Sequence, residues 1–175
     1  MRLDISSSDL DKVINGLNLL PEQVAKCTRY ALDRTAEFVK GRLAKELSAE
    51  KRIKLKIIRD RLKIIRGNLR DNFRVINANF SGILVRDLGT PIQTPHGVSI
   101  NGTIYNPHSF VAILKDGAKP GVYVRKTEKR FPVRSVRIPI YEDAIRLLND
   151  VVGPEATEVF KKRFKHELRR IWGYA

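Results

Sequence analysis

Residues 110–139, reading FVAILKDGAKPGVYVRKTEKRFPVRSVRIP, alternate with the two-residue period of paired strands, and their polar positions are mostly lysine and arginine. Such alternation turns one face of a sheet to a core and the other to solvent, so an all-helical fold is excluded. Three strands are expected: FVAILK, GVYVRK and VRSVRIP. The first turn falls at Asp116-Gly117, with Pro120 and Gly121 close behind, and the second in the charged run 126–130. In the last strand Val133, Val136 and Ile138 are apolar while Arg134 and Arg137 are basic. Ser135 disturbs the period in the manner of a bulge, and Pro139 ends the strand. The cations read as the outer face of a sheet whose inner face packs on the long helix described next.

Helical periods flank this block. Ser8 caps a short amphipathic segment with Leu10, Val13, Ile14 and Leu17 on one side, and Pro21 suits the first position of a second helix. Thr28, Leu32, Thr35, Val39, Leu43 and Leu47 make a stripe along that helix to about Ser48, consistent with burial against a sheet; Gly41 weakens it by about 1 kcal/mol relative to alanine. At the other end Ile145, Leu148 and Val152 mark a short helix, and Gly153-Pro154 opens the last one. There Phe160, Phe164, Leu168 and Trp172 recur every fourth residue, with Glu155 and Glu158 near the positive end and Arg169 and Arg170 near the negative end.

In the basic text from Lys51, KRIKLKIIRDRLKIIRGNLRDNFRV, two periods compete. Ile58, Leu62, Ile65 and Leu69 fit a helix, whereas Ile53, Leu55 and Ile57 alternate like a strand. The preferred reading is a short helix over about 52–60, a strand at 62–66, a turn at Gly67-Asn68 and a returning strand at 73–79. A continuous helix over 51–66 is the alternative. After Ser81 and Gly82, residues 90–107 are rich in Gly, Pro, Asn and Thr, as an exposed loop or a long hairpin would be. Val98, Ile100 and Ile104 can form two short strands about Asn101-Gly102, a dipeptide suited to a type I′ turn. Such an arm either meets a neighbour or remains a loop with no partner.

The fold class is therefore α+β: a long N-terminal helix and a C-terminal helix packed on a mainly antiparallel β-sheet, with an extended loop or hairpin arm. A single domain over 1–175 is expected, with a helical part at 1–50, a β-rich part at 51–140 and the terminal helices at 141–175.

Lysine and arginine number 34 against 19 acidic residues, a net charge of +15, which favours an anionic partner without choosing among nucleic acid, membrane surface and acidic protein. The one cysteine, Cys27, cannot form an internal disulfide and suits a reducing compartment. The first residues have no apolar signal region, and no run approaches the roughly 20 apolar residues of a membrane helix.

No catalytic arrangement is legible. His96, His108 and His166 lie on two loops and a helix without a second ligand at metal-like spacing, Cys27 sits mid-helix beside the apolar face, and the glycines form no phosphate-cradling loop. No catalytic, metal or cofactor site is assigned. Two basic concentrations remain, residues 51–70 and 161–170. Lys51, Arg52, Lys54, Lys56, Arg59, Arg61, Lys63, Arg134 and Arg137 are the candidates for contact with an anionic partner. The aromatic residues Phe160, Phe164 and Trp172 lie on the apolar stripe, as core and not as base-stacking platforms.

The order of these segments (capped short helix, Pro-led long helix, IIRDRLKI, the FVAILKDG and VYVRK strands, RFPVRSVRIP and a basic terminal helix) resembles the prophage minor tail protein Z family of long-tailed bacteriophages. The resemblance covers nearly the whole chain and rests on order and spacing, above all at residues 59–62, 110–117, 122–125 and 131–139. It implies a non-enzymatic virion protein, made in the host cytoplasm, that completes the tail or joins it to the head at the neck. The partners it implies are further copies of the chain in a ring, six by analogy with tail symmetry; neighbouring connector, tail-terminator or tail-tube proteins; and DNA in the channel. It implies no membrane, no cofactor and no catalytic residue. One departure is that residues 90–107 are less basic than the corresponding loop of the family, so the resemblance carries no DNA-contacting role to them. Among readings from the residues alone, non-specific nucleic-acid binding is the alternative.

Overall fold

The computed structural model of the chain describes residues 21–66, 73–114 and 120–172. The short helix expected between Ser8 and Leu17, and the turns at Gly67-Asn68 and Asp116-Gly117, lie outside the described residues. The chain divides into two compact units, one formed by residues 1–79 and 143–175 and the other by residues 80–142.

The first unit is built on helix α1 (Pro21–Lys51). Proline at its first position gives up an amide that would have had no intrahelical acceptor. The buried face follows Cys27, Ala31, Thr35, Val39, Leu43 and Leu47 at four-residue steps, with Ala36 and Ala44 beside them. Toward its N-terminal end this face lies one residue earlier than the Thr28–Leu32 stripe expected from the sequence. The reason is the partner. Cys27 and Ala31 pack with Phe160, Phe164 and Leu168 of the C-terminal helix, and small side chains on one helix make room for stacked phenyl rings on the other, whose centroids are 5.9 Å apart. Leu32 is only partly buried at the rim of that cluster. This stretch, read from the sequence as packing on a sheet, therefore packs on a helix. Thr35, although buried, is satisfied because its hydroxyl donates to the Ala31 carbonyl at 2.8 Å.

Helix α1 ends in a Schellman arrangement. Arg52 takes a left-handed conformation (φ 52°), its amide bonds to Ala49 O, and the Ile53 amide bonds back to Ser48 O. Helix α2 (Leu55–Arg59) then buries Ile58, and strand β1 (Leu62–Arg66) follows. The preferred reading of 51–66, a short helix before a strand, is what the structure contains, and a continuous helix is not. The pentapeptide LKIIR occurs twice here, as α2 and again as β1. Strand β1 pairs antiparallel with β2 (Arg74–Ala78), from Leu62 opposite Ala78 to Arg66 opposite Arg74. Arg74, its side chain only 5% exposed, reaches back to Asp33 of α1, with Nε to Oδ1 at 2.6 Å.

Helix α3 (Tyr141–Leu147), a π-helical turn (Leu148–Val152) and helix α4 (Gly153–Trp172) follow one another without a break. The wider π turn brings Leu147 and Val152, five residues apart, onto the buried side together, which α-helical spacing would not do. Ala156, Phe160, Phe164 and Leu168 then continue the buried row at every fourth residue.

The second unit holds three small antiparallel sheets: β3 (Ile83–Leu84) with β10 (Arg137–Ile138); β4 (Ile92–Thr94), β5 (Gly97–Ile100) and β6 (Thr103–Pro107); and β7 (Phe110–Ala112), β8 (Gly121–Arg125) and β9 (Val133–Ser135). Residues 90–107, read as a loop or hairpin, are a three-stranded meander. Its second turn is the expected one, Asn101 and Gly102 having φ of 52° and 81° between the paired Ile100 and Thr103. VRSVRIP, expected as one strand, serves two sheets. Ser135 is the last residue paired with β8, and Arg137 the first paired with β3. Val136, between them, donates its amide to Val122 O and accepts from the Val85 amide, so the break at Ser135 is a change of partner.

Candidate partner-binding surface

The nine cationic candidates fall into two groups. Lys51, Arg52, Lys54, Lys56, Arg59, Arg61 and Lys63 belong to the first unit, Arg134 and Arg137 to the second. In the first group the burial of Ile53, Ile58 and Leu62 turns the intervening cations outward, so Arg52, Lys54, Lys56, Arg59 and Lys63 are exposed. Lys63 shares the outer face of the β1–β2 ribbon with Ile65, Val75 and Asn77. Lys51 is committed internally. Its ammonium lies 2.7 Å from Asp143 Oδ2 and holds that carboxyl below the ordinary aspartate value. Arg61 is only partly exposed, and its carbonyl accepts from the Asn79 amide.

In the second group Arg134 stands opposite Val124 and is exposed. Arg137 is exposed too, but its guanidinium donates to Gly82 O at 3.2 Å. The sequence marks the β8–β9 connection only as a charged turn. This connection brings together Arg125, Lys126, Lys129, Arg130 and Phe131, all exposed. Phe131 is 59% exposed, with the Arg130 guanidinium 5.8 Å from its ring centre, while Arg125 lies 5.4 Å from the Phe110 ring. An aromatic residue inside the run KTEKRF was the available signal, since an apolar ring at the end of a cationic turn lacks the spacing of a core position.

The basic stretch of α4 is partly neutralised. Lys161 pairs with Glu158, and Arg170 pairs with Glu167 while covering the Tyr30 ring at 5.3 Å; Lys162, Arg163, Lys165 and Arg169 are exposed. Between the helices, Arg42 makes a two-pronged contact with Glu155 (3.0 and 3.2 Å) and also bonds Glu46, and the first of these raises its pKa further.

Cys27 is fully buried, and burial above all, then the charge of Glu167, pushes its thiol up, away from the reactive thiolate. Among the described residues no group of three His, Cys, Asp or Glu side chains is placed to hold a metal ion, and no helix is long and apolar enough to cross a membrane.

The model of the family described as prophage minor tail protein Z matches residues 8–98, just over half of the chain. That span takes in α1, the β1–β2 ribbon and the start of the second unit, and it stops short of residues 110–139. No curated protein and no solved structure matches the chain.

Proposed function

This chain belongs to the prophage minor tail protein Z family, a structural family of phage tails, and from that premise we propose that it completes the tail or joins it to the head at the neck. In this reading copies of the chain form a ring, six by the symmetry of the tail, around the channel through which DNA passes. Its role is structural and it travels in the virion. The carrying observation is the family match over residues 8–98.

The geometry supports the reading in two respects. A ring subunit needs rigid cores, and each helix pairing and sheet above is held by buried side chains. It also needs complementary charge toward the next component, because matched potentials set register and suppress wrong partners. The exposed cations Arg52, Lys54, Lys56, Arg59 and Lys63 supply such charge on the first unit, and Arg134 supplies it separately on the second. Closed rings arise from one interface repeated about an axis.

The test is made on particles. Mass spectrometry of purified virions should find the protein, and a deletion should leave heads and tails that fail to join or to infect. Its absence from purified virions overturns the proposal.

One observation favours a second reading, non-specific nucleic-acid binding: Phe131 stands exposed among the cations of the β8–β9 turn. Base stacking on an aromatic ring within a cationic groove is how sequence-tolerant binders hold single strands. This reading requires affinity that falls steeply with salt, by about 0.7 log units per log unit of salt for each single-strand phosphate contacted. A flat salt response removes it.

A further inference from the structure

Residues 88–114 contain no aspartate, glutamate, lysine or arginine, in a chain that is 30% charged and carries a net +15. This segment forms the β4–β5–β6 meander and strand β7. Ile92 stands opposite Ser99, and Ser99 opposite Ile104, so these three side chains form a row across one face of the meander. Ile92 is 62% and Ile104 47% exposed. The opposite face carries Val98 and Ile100, both fully buried. The meander thus has one face already used for its core, and on the other face two exposed isoleucines flank the part-buried Ser99. Strand β6 is also an edge of this sheet, and it bears none of the lysines that commonly guard such edges.

We propose that this uncharged face of the meander is where a second copy of the chain docks. Charge selects the occupant. Two molecules that each carry +15 repel across most of their surfaces, so they can meet closely only where neither presents a cation. An anionic partner gains nothing from a face without cations and is drawn to the lysines and arginines elsewhere. A row with two exposed isoleucines in a neutral surround is complementary to itself. Being self-complementary, the contact pairs two copies about a twofold axis and is separate from the repeated contact that the ring reading requires; its test needs only the free protein.

The row is small, so association of the free chain should be weak, with a dissociation constant on the order of 10–100 µM, because the contact falls below the area of stable dimers. Sedimentation equilibrium on the full chain should show an average mass rising above 20.0 kDa with concentration. The rise should be larger in about 1 M than in about 0.1 M sodium chloride, since salt screens the repulsion and leaves the apolar contact. The variant Ile92→Lys with Ile104→Lys should weaken association at least about tenfold (1.4 kcal/mol per tenfold). Ile92→Thr with Ile104→Thr, which keeps strand propensity and adds no charge, should weaken it less, and both should retain the wild-type far-ultraviolet circular dichroism.

A wild-type mass that stays at 20.0 kDa at about 1 mM chain in high salt overturns the inference, as does a lysine variant that keeps its fold and associates like wild type. Association that falls with salt overturns it too, because charge would then be the glue. Wild-type protein that remains monomeric while particles carrying the lysine variant fail to join would assign the face to a different protein. Absence of the protein from virions would remove the ring reading and leave the solution result standing.

Discussion

The side-chain amide of Gln93 on β4 serves Val111 on β7 as a neighbouring peptide group would. Its Oε1 accepts from the Val111 amide at 3.0 Å, and its Nε2 donates to the Ser109 carbonyl at 3.3 Å. Two sheets of the second unit are tied at this point by a side chain in place of a strand. Replacing it with leucine should cost about 1 kcal/mol in denaturant unfolding and speed hydrogen exchange at Val111. An unchanged exchange rate at that amide would show the link to be idle.

Ser109 is 2% exposed, and its hydroxyl accepts from the Val98 amide at 2.9 Å while facing the Asn106 carbonyl at 2.8 Å. Ser109→Ala strands a buried amide, so a loss of about 1–3 kcal/mol is expected. Ser109→Thr keeps the hydroxyl and should recover part of this loss. Equal losses for the two would point to packing instead.

Two positions in the first unit have room to gain stability. A Cβ added at Gly41, inside α1, meets nothing within 4 Å, so Gly41→Ala should stabilise by about 0.5–1 kcal/mol. Arg52 holds a left-handed conformation that glycine adopts without a clash, and Arg52→Gly should add about as much. A rise in melting temperature of about 2–4 °C for each is the expected readout. If Arg52 meets an anionic partner, Arg52→Gly alone should also weaken that partner's binding.

Asp33 neutralises Arg74, whose side chain is nearly buried, and has Arg66 at 3.8 Å. These two arginines are direct cross-strand partners, so removing Asp33 weakens the compensation of their repulsion, with Glu37 still 3.9 Å from Arg66. Asp33→Ala should cost about 2 kcal/mol, somewhat below a fully buried pair because Asp33 keeps some solvent. Adding Arg74→Met should restore part of the loss, and a double-mutant cycle that proves additive would dismiss the coupling.

Asp143 titrates below the usual aspartate value of 3.8, chiefly because Lys51 bonds to its charged form. Its folded pKa is thus lower than its unfolded one, so the unfolded chain binds the proton more readily. This contribution is present at neutral pH and is lost as pH falls below about 3.8 through the lower folded value. Asp143→Asn should flatten that part of an acid unfolding curve, and an identical acid slope would contradict the assignment.

Much of the architecture was legible wherever a local rule acts alone. Pro21 begins its helix, Asn101-Gly102 makes its tight turn, and Phe160, Phe164 and Leu168 line the buried side of α4. Legibility failed where the partner decides. Nothing local distinguishes Cys27 from Thr28 as the inward residue until two phenyl rings select the smaller side chain. Nothing in VRSVRIP announces that Val136 leaves one sheet for another. The cationic candidates were legible as a list, but Lys51 is tied to Asp143 and Arg137 donates to Gly82, while the Arg130–Phe131 tip ends a run that the sequence marks only as a charged turn.

By itself the sequence determined the α+β class, the excess of positive charge and the ends of its strongest helices, since each follows from composition or from a period within one segment. The two LKIIR pentapeptides mark where that ends. Their intrinsic preferences are identical, yet residues 55–59 are helical and 62–66 extended. The first copy follows the left-handed cap at Arg52 and is anchored by burying Ile58. The second buries Leu62, pairs with residues 74–78, and has Asp33 of α1 to offset the two arginines that the pairing sets face to face. Backbone pairing and charge compensation from distant residues outweigh a local propensity that is the same in both copies, and only the tertiary structure supplies them.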